Sequence, residues 1–119
     1  MNFLIDTSIL IEMLRKNKDV LDFLANHLED RFLTSSICEA EIWEGVYREK
    51  PINFVKRKKN VEVLLESLTG TITFDSNQAQ IAGQIRSSLS LKGELTGDLD
   101  ILIAASAVTN DATLYLIYP

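Results

Sequence analysis

The sequence predicts an α/β fold: a three-layer α/β/α domain around a short parallel sheet of four strands. Two observations carry this. Short apolar runs alternate with longer stretches of helical periodicity, in the order strand, helices, strand, helices, strand, helices, strand. The runs are also mostly apolar on both faces, as in parallel strands covered by helices on two sides.

The elements follow in order. Residues 2–5 form a buried strand that stops at Asp6, and Thr7 or Ser8 caps a helix to about Arg15, with Ile9, Leu10 and Met13 at helical spacing. After a turn at 16–18, a helix over 19–29 aligns Val20, Phe23, Leu24 and Leu28 on one stripe. A second strand covers 32–34, and Ser35 or Ser36 caps a helix to about Arg48. Pro51 suits the first turn of the next helix, which runs to about Leu68 with Gly70 as its stop. A third strand spans 71–74, and Asp75 or Ser76 caps a helix reaching about Leu91. Residues 93–97 are a loop, Asp98 caps a last helix to about Thr109, and a fourth strand occupies 113–118.

With 119 residues the chain is expected to be a single domain, 1–119, with a real core. Its 46% hydrophobic and 24% charged residues are as expected for a soluble globular protein. No apolar stretch approaches the roughly 20 residues of a membrane span, and no secretory signal is visible, so a cytoplasmic protein is the expectation. The single Cys38 excludes an internal disulfide and reads as a small buried residue. His27 reads as a surface residue of an amphipathic helix. The net charge of −5 argues against a nucleic-acid coat, though not against an enzyme that meets nucleic acid through a metal.

The chemistry lies in the acids. In parallel sheets the functional crevice lies beyond the carboxyl ends of the strands, which is where Asp6 falls. A carboxylate ending an apolar run is costly unless something pairs with it. Glu41 sits one turn inside the helix SSICEAEIWEGVY, on the same face as Ile37 and Gly45. Gly45 costs roughly 1 kcal/mol in a helix interior, which predicts a close approach there. An isolated Glu usually faces solvent, and Glu39 and Glu44 are read that way. Asp98 is accounted for as a cap. Asp100 instead opens a helix, ILIAASAV, that is apolar all round and therefore buried.

Three carboxylates from three βα units are thus expected to meet. Like charges at about 4 Å repel by roughly 4 kcal/mol at an effective dielectric of 20, which a cation relieves. Oxygen-only ligands favour Mg²⁺ or Mn²⁺. Such ions assist phosphodiester hydrolysis without a nucleophilic side chain, and neither Ser8 nor Ser106 has a nearby histidine in the sequence.

The segments FLIDTS, AEIWEG and DLDILIAASA, in that order over residues 1 to about 115, resemble the PIN-domain ribonucleases, and among them the VapC-type toxins of prokaryotic toxin–antitoxin pairs. The resemblance implies an Mg²⁺- or Mn²⁺-dependent endoribonuclease acting on RNA. Asp6, Glu41 and Asp100 take the positions of its catalytic, metal-holding acids. Asp98 is an additional carboxylate for the metal, and Thr7 or Ser8 supports Asp6 by hydrogen bonding. It also implies a cognate antitoxin and a homodimer. One departure stands out. The family usually continues past the fourth strand with a threonine–asparagine segment and a fourth acid, whereas this chain reads ATLYLIYP there. By the resemblance, the missing acid and fifth-strand tail count against a second metal and against full activity; the two readings are a truncated or frameshifted toxin, or partial substitution by Asp98. The alternative is a catalytically silent module that only binds an antitoxin or another protein.

Arg48, Lys50, Lys56, Arg57, Lys58 and Lys59 gather on the third and fourth helices, where they read first as a solvated face and second as a track for RNA phosphates. Trp43, Tyr47 and Phe54 are either core residues or anchors for a partner. Two rival α/β readings fail on residues. A receiver-like domain wants adjacent acids after the first strand and a late lysine. A haloacid-dehalogenase-type phosphatase wants a second acid where Ser8 stands.

Overall fold

The computed structural model describes residues 1–93 and 97–117. The chain runs β1 (Asn2–Ile5), α1 (Thr7–Leu14), α2 (Lys18–Ala25), β2 (Arg31–Ser35), α3 (Ser36–Tyr47), α4 (Pro51–Ser67), β3 (Gly70–Ile72), α5 (Ser76–Leu91), α6 (Asp98–Thr109) and β4 (Thr113–Tyr115). The four strands form one parallel sheet in the order β3-β2-β1-β4, with helices around it, so the α/β/α expectation holds. Residues 94–96 of the expected loop and residue 118 of the expected fourth strand lie outside the described residues.

The register explains the core. Phe3 pairs with Phe32, Leu4 with Leu33 and Leu114, and Ile5 with Tyr115. Side chains alternate across a sheet, so Phe3, Phe32 and Tyr115 share one face and Leu4, Leu33 and Leu114 the other. Phe23 of α2 covers the aromatic face, with ring centroids 5.4 Å from Phe3 and 4.2 Å from Tyr115. Leu4, Ile5, Ile9 and Leu10 are fully buried, and Ile103 and Ala107 of α6 join the same core. Ile101, Ala105 and Ala82 make a second cluster between α5 and α6, for which the small side chains on α6 leave room. Thr34 is tolerated at full burial because its hydroxyl donates to the Ile5 carbonyl at 2.8 Å.

Several boundaries differ from expectation, each for a visible reason. The N-cap of α1 is Asp6, not Thr7 or Ser8. Helix α2 stops at Ala25, not 29, because the chain turns to stack His27 on Phe23 (4.2 Å) and to bond it to Asp30 (2.8 Å). His27 is therefore half-buried and outside the helix. Gly70 does not stop α4, since Leu68 has already turned extended, and Gly70 pairs with Leu33 in β3. Thr73 and Phe74 leave the ladder because side chains take their backbone groups. Gln78 Nε2 donates to the Thr73 carbonyl, and the Phe74 N–H donates to Ser36 Oγ. Gly97, not Asp98, is the N-cap of α6. Among the described residues a Cβ at Gly45 would meet nothing within 4 Å, so the close approach expected there is not seen.

Candidate active site

Because the strands are parallel, the chain leaves β1, β2 and β3 at one common edge. Asp6 sits there with an extended backbone (φ −74°, ψ 161°), and its N–H donates to the Tyr115 carbonyl of β4 at 3.0 Å. Its Oδ2 accepts from Ser8 N–H (3.1 Å) and from Ser8 Oγ–H (2.8 Å). A carboxylate at the end of an apolar run is therefore satisfied by the N-terminus of α1, whose dipole also favours negative charge. Among the described residues nothing donates to Asp6 Oδ1.

The next residue reaches a different βα unit. Thr7 Oγ1 donates to Glu41 Oε1 at 2.7 Å, so the start of α1, where the half-buried Asp6 sits, is tied to the half-buried Glu41 of α3. Glu41 Oε2 has no hydrogen-bond donor among the described residues. Neither Asp6 nor Glu41 has an ion-pair partner there either. Glu39 is turned elsewhere, accepting from Thr71, and Glu44 pairs with Arg48.

Helix α6 leads directly into β4 and so runs against the strands, which puts its first turn beyond the same edge. Ser106 Oγ–H donates to Gln78 Oε1 at 2.6 Å, and Gln78 in turn reaches Thr73, just past β3. That sets the height of Ser106, and Asp100 lies about 9 Å of helical rise further out. Asp100 is exposed and leans over Gly97, where an added Cβ would lie 3.4 Å from its Oδ2. Asp98 is exposed too and is ion-paired with Arg86 of α5. Among the described residues no three Asp, Glu, His or Cys side chains stand close enough together to enclose an ion. The structure thus bonds Glu41 to Thr7, the neighbour of Asp6, leaves Asp100 exposed on the first turn of α6, turns Asp98 towards Arg86, and does not gather the three expected acids into one cluster among the described residues.

The donor set still suits a hard divalent cation. It is all oxygen, it is negatively charged, and Asp6 and Glu41 each have one oxygen held by a hydroxyl and, among the described residues, one open. Cys38 is buried against Ser35 and His27 is bonded to Asp30, so neither belongs to the site. Ser8 is bonded to a carboxylate, not to a histidine, so no activated hydroxyl is present there.

A parallel α/β/α sheet with acids from successive βα units along its carboxyl edge defines the class. The chain belongs to the PIN domain family, whose model matches residues 3–115. It is similar to Ribonuclease VapC2 of Rickettsia felis (31% identical, over 96% of this chain and 84% of the relative). It is also similar to Ribonuclease VapC3 of Methanocaldococcus jannaschii (30% identical, over 88% of this chain and 97% of the relative). Among solved structures it matches VapBC2 from Rickettsia felis bound to a promoter DNA fragment, with a TM-score of 0.83 and 27% identity over 96% of this chain and 85% of that one. DNA-bound VapBC from Salmonella typhimurium gives a TM-score of 0.82 and 26% identity over 98% of this chain and 84% of that one.

Elsewhere, Trp43 and Phe54 pack partly against the core while Tyr47 stays exposed, its ring 6.3 Å from Trp43 and 5.7 Å from Phe54. Of the six basic residues, Arg48 and Lys50 lie between α3 and α4 and the other four on α4; Arg48, Arg57 and Lys58 face Glu44, Glu49 and Glu62, as on an ordinary solvated face. No helix among the described residues is long and apolar enough to cross a membrane.

Proposed function

We propose that this chain is a divalent-metal-dependent endoribonuclease that hydrolyses RNA phosphodiester bonds and serves as the toxin of a toxin–antitoxin pair. The observation that carries the reading is the Asp6–Thr7–Glu41 arrangement at the carboxyl edge: Glu41 is held by the residue next to Asp6, and among the described residues each acid has an open oxygen and neither has a cationic partner. Asp6 and Glu41 would hold Mg²⁺ or Mn²⁺, with Asp100 contributing from α6. When bound, the ion supplies Lewis acidity towards the phosphodiester and lowers the pKa of water. The chain's own residues do the positioning. Ser8 orients Asp6, Thr7 orients Glu41, and the N-terminus of α1 fixes Asp6 against its helix. Asp98 is a poorer ligand in this reading, because binding the ion would cost its contact with Arg86.

The relatives' VapBC complexes support an antitoxin as partner. A groove of about 630 Å³ between α1, α2 and α4, lined by Met13, Leu14, Leu21, Val63 and Leu64, offers apolar surface for it. A homodimer follows from the family resemblance and is checked by sedimentation. The function is tested by incubating single-stranded RNA with the parent and with Asp100→Asn, in Mg²⁺ or Mn²⁺ and in EDTA. The parent is expected to cut only with metal, and Asp100→Asn to fall to the EDTA background. Equal cleavage by both would refute the assignment.

A further inference from the structure

The first acid is bound twice to the chain around the exit of β4. Its backbone N–H donates to the Tyr115 carbonyl at 3.0 Å. Its side chain reaches the same segment through one intermediary: the Ile117 N–H donates to Ser8 Oγ at 3.1 Å, and Ser8 Oγ–H donates to Asp6 Oδ2 at 2.8 Å. The amide gives the hydroxyl a donor, so its single proton is left for the carboxylate, and hydrogen bonds in such a chain polarise one another. Ser8 N–H also binds Oδ2. Both donors of one residue therefore hold one oxygen and leave Oδ1 for a ligand.

From this we infer that Ser8 is a positioning residue that transmits the placement of the segment after β4 to the Asp6 carboxylate. The consequence for ion affinity rests on the reading of Asp6 as an ion ligand; the relay itself does not. Thr7 cannot replace Ser8, because its hydroxyl is committed to Glu41. Leu116 and Ile117 thereby become part of the site's support, although neither carries a group that binds an ion. A change at position 117, which sits 109 residues from Ser8 in sequence, is expected to be felt at the first acid.

The test uses the full chain and the variants Ser8→Ala, Ser8→Thr, Ile117→Pro and Ser8→Ala/Ile117→Pro. Ile117→Pro deletes the N–H that enters the relay, and also fixes φ at position 117 and biases Leu116 towards extended backbone. Without metal, the Asp6 carboxyl carbon resonance is expected to move in both Ser8→Ala and Ile117→Pro. Amide exchange at Ile117 is expected to accelerate in Ser8→Ala, and Ser8→Thr to restore both signals. With Mn²⁺, calorimetry is expected to show affinity falling by about 10–100-fold in Ser8→Ala, the usual cost of losing a partner behind a ligand. Ile117→Pro should weaken binding in the same direction. The double variant should bind no worse than Ser8→Ala, because the two lie on one path. An Asp6 resonance and Mn²⁺ affinity untouched by Ile117→Pro, with Ser8→Ala altering both, would overturn the relay. So would unchanged Ile117 exchange in Ser8→Ala. A parent that binds no Mn²⁺, while Ile117→Pro still moves the Asp6 resonance, would sink the ion reading and uphold the relay.

Discussion

Asp6→Asn and Asp6→Ala separate the two tasks the structure gives to one carboxylate. Asn ranks with Asp as an N-cap and keeps an oxygen for the Ser8 donors, so the start of α1 should survive. It loses the attraction of a charge for the helix dipole, about 0.3–1 kcal/mol. Its metal-free stability is expected within about 1 kcal/mol of the parent. Ala removes the cap, at about 0.5–2 kcal/mol, and strips the half-buried Ser8 hydroxyl of its acceptor, at about 1 kcal/mol more. For a domain of this size, roughly 2–3 kcal/mol lowers the melting temperature on the order of 10 °C. The assay is urea and thermal unfolding in EDTA, repeated in Mn²⁺. An ion at 100 times its dissociation constant adds about 2.7 kcal/mol to the parent, and both variants should lose that gain. The reasoning fails if Asn destabilises as much as Ala in EDTA, or if Asn keeps the Mn²⁺ response.

Other expectations concern stability and pH. Leu4 lies fully buried in a strand with neighbours on both sides, so Leu4→Ala should cost about 2–5 kcal/mol in urea unfolding; a loss under 1 kcal/mol would mean the core is not packed as described. The hydrogen bond from His27, with the N-terminal amine second, holds the Asp30 carboxyl below its ordinary 3.8. A depressed carboxylate stabilises above its unfolded value, and that contribution disappears as pH falls through the folded one. NMR should thus place the Asp30 midpoint below 3.8 in the parent and higher in His27→Ala; an identical midpoint in both would refute the assigned cause.

Much of the scaffold could be read from contiguous residues. Periodicity located the helices, and Ser35, Asp75 and Pro51 behave at helix starts as capping rules require. The errors cluster where a distant side chain captures a backbone group or a charge. Thr73 and Phe74 have strand-like composition, yet Gln78 and Ser36 withdraw them from the sheet. Asp98 has the composition of a cap, yet Arg86 draws its carboxylate away. His27 sits in a helical pattern, yet Phe23 and Asp30 offer it a better place outside. Arg86 and Ile117 carried no sequence signal, since each acts through a partner that only folding brings near.

The sequence by itself determined the α/β order of elements and placed Asp6 at the end of the first strand, because strand and helix periods and chain order are local properties. The three family segments also marked Asp6, Glu41 and Asp100 as the acids of interest. Only the tertiary structure decided which oxygens are held and which are open. The Thr7–Glu41 bond closes across 34 residues and the Ile117–Ser8 bond across 109. Such pairings depend on sheet order and helix packing, which set donor–acceptor distances to within a few tenths of an ångström, and no local pattern encodes them.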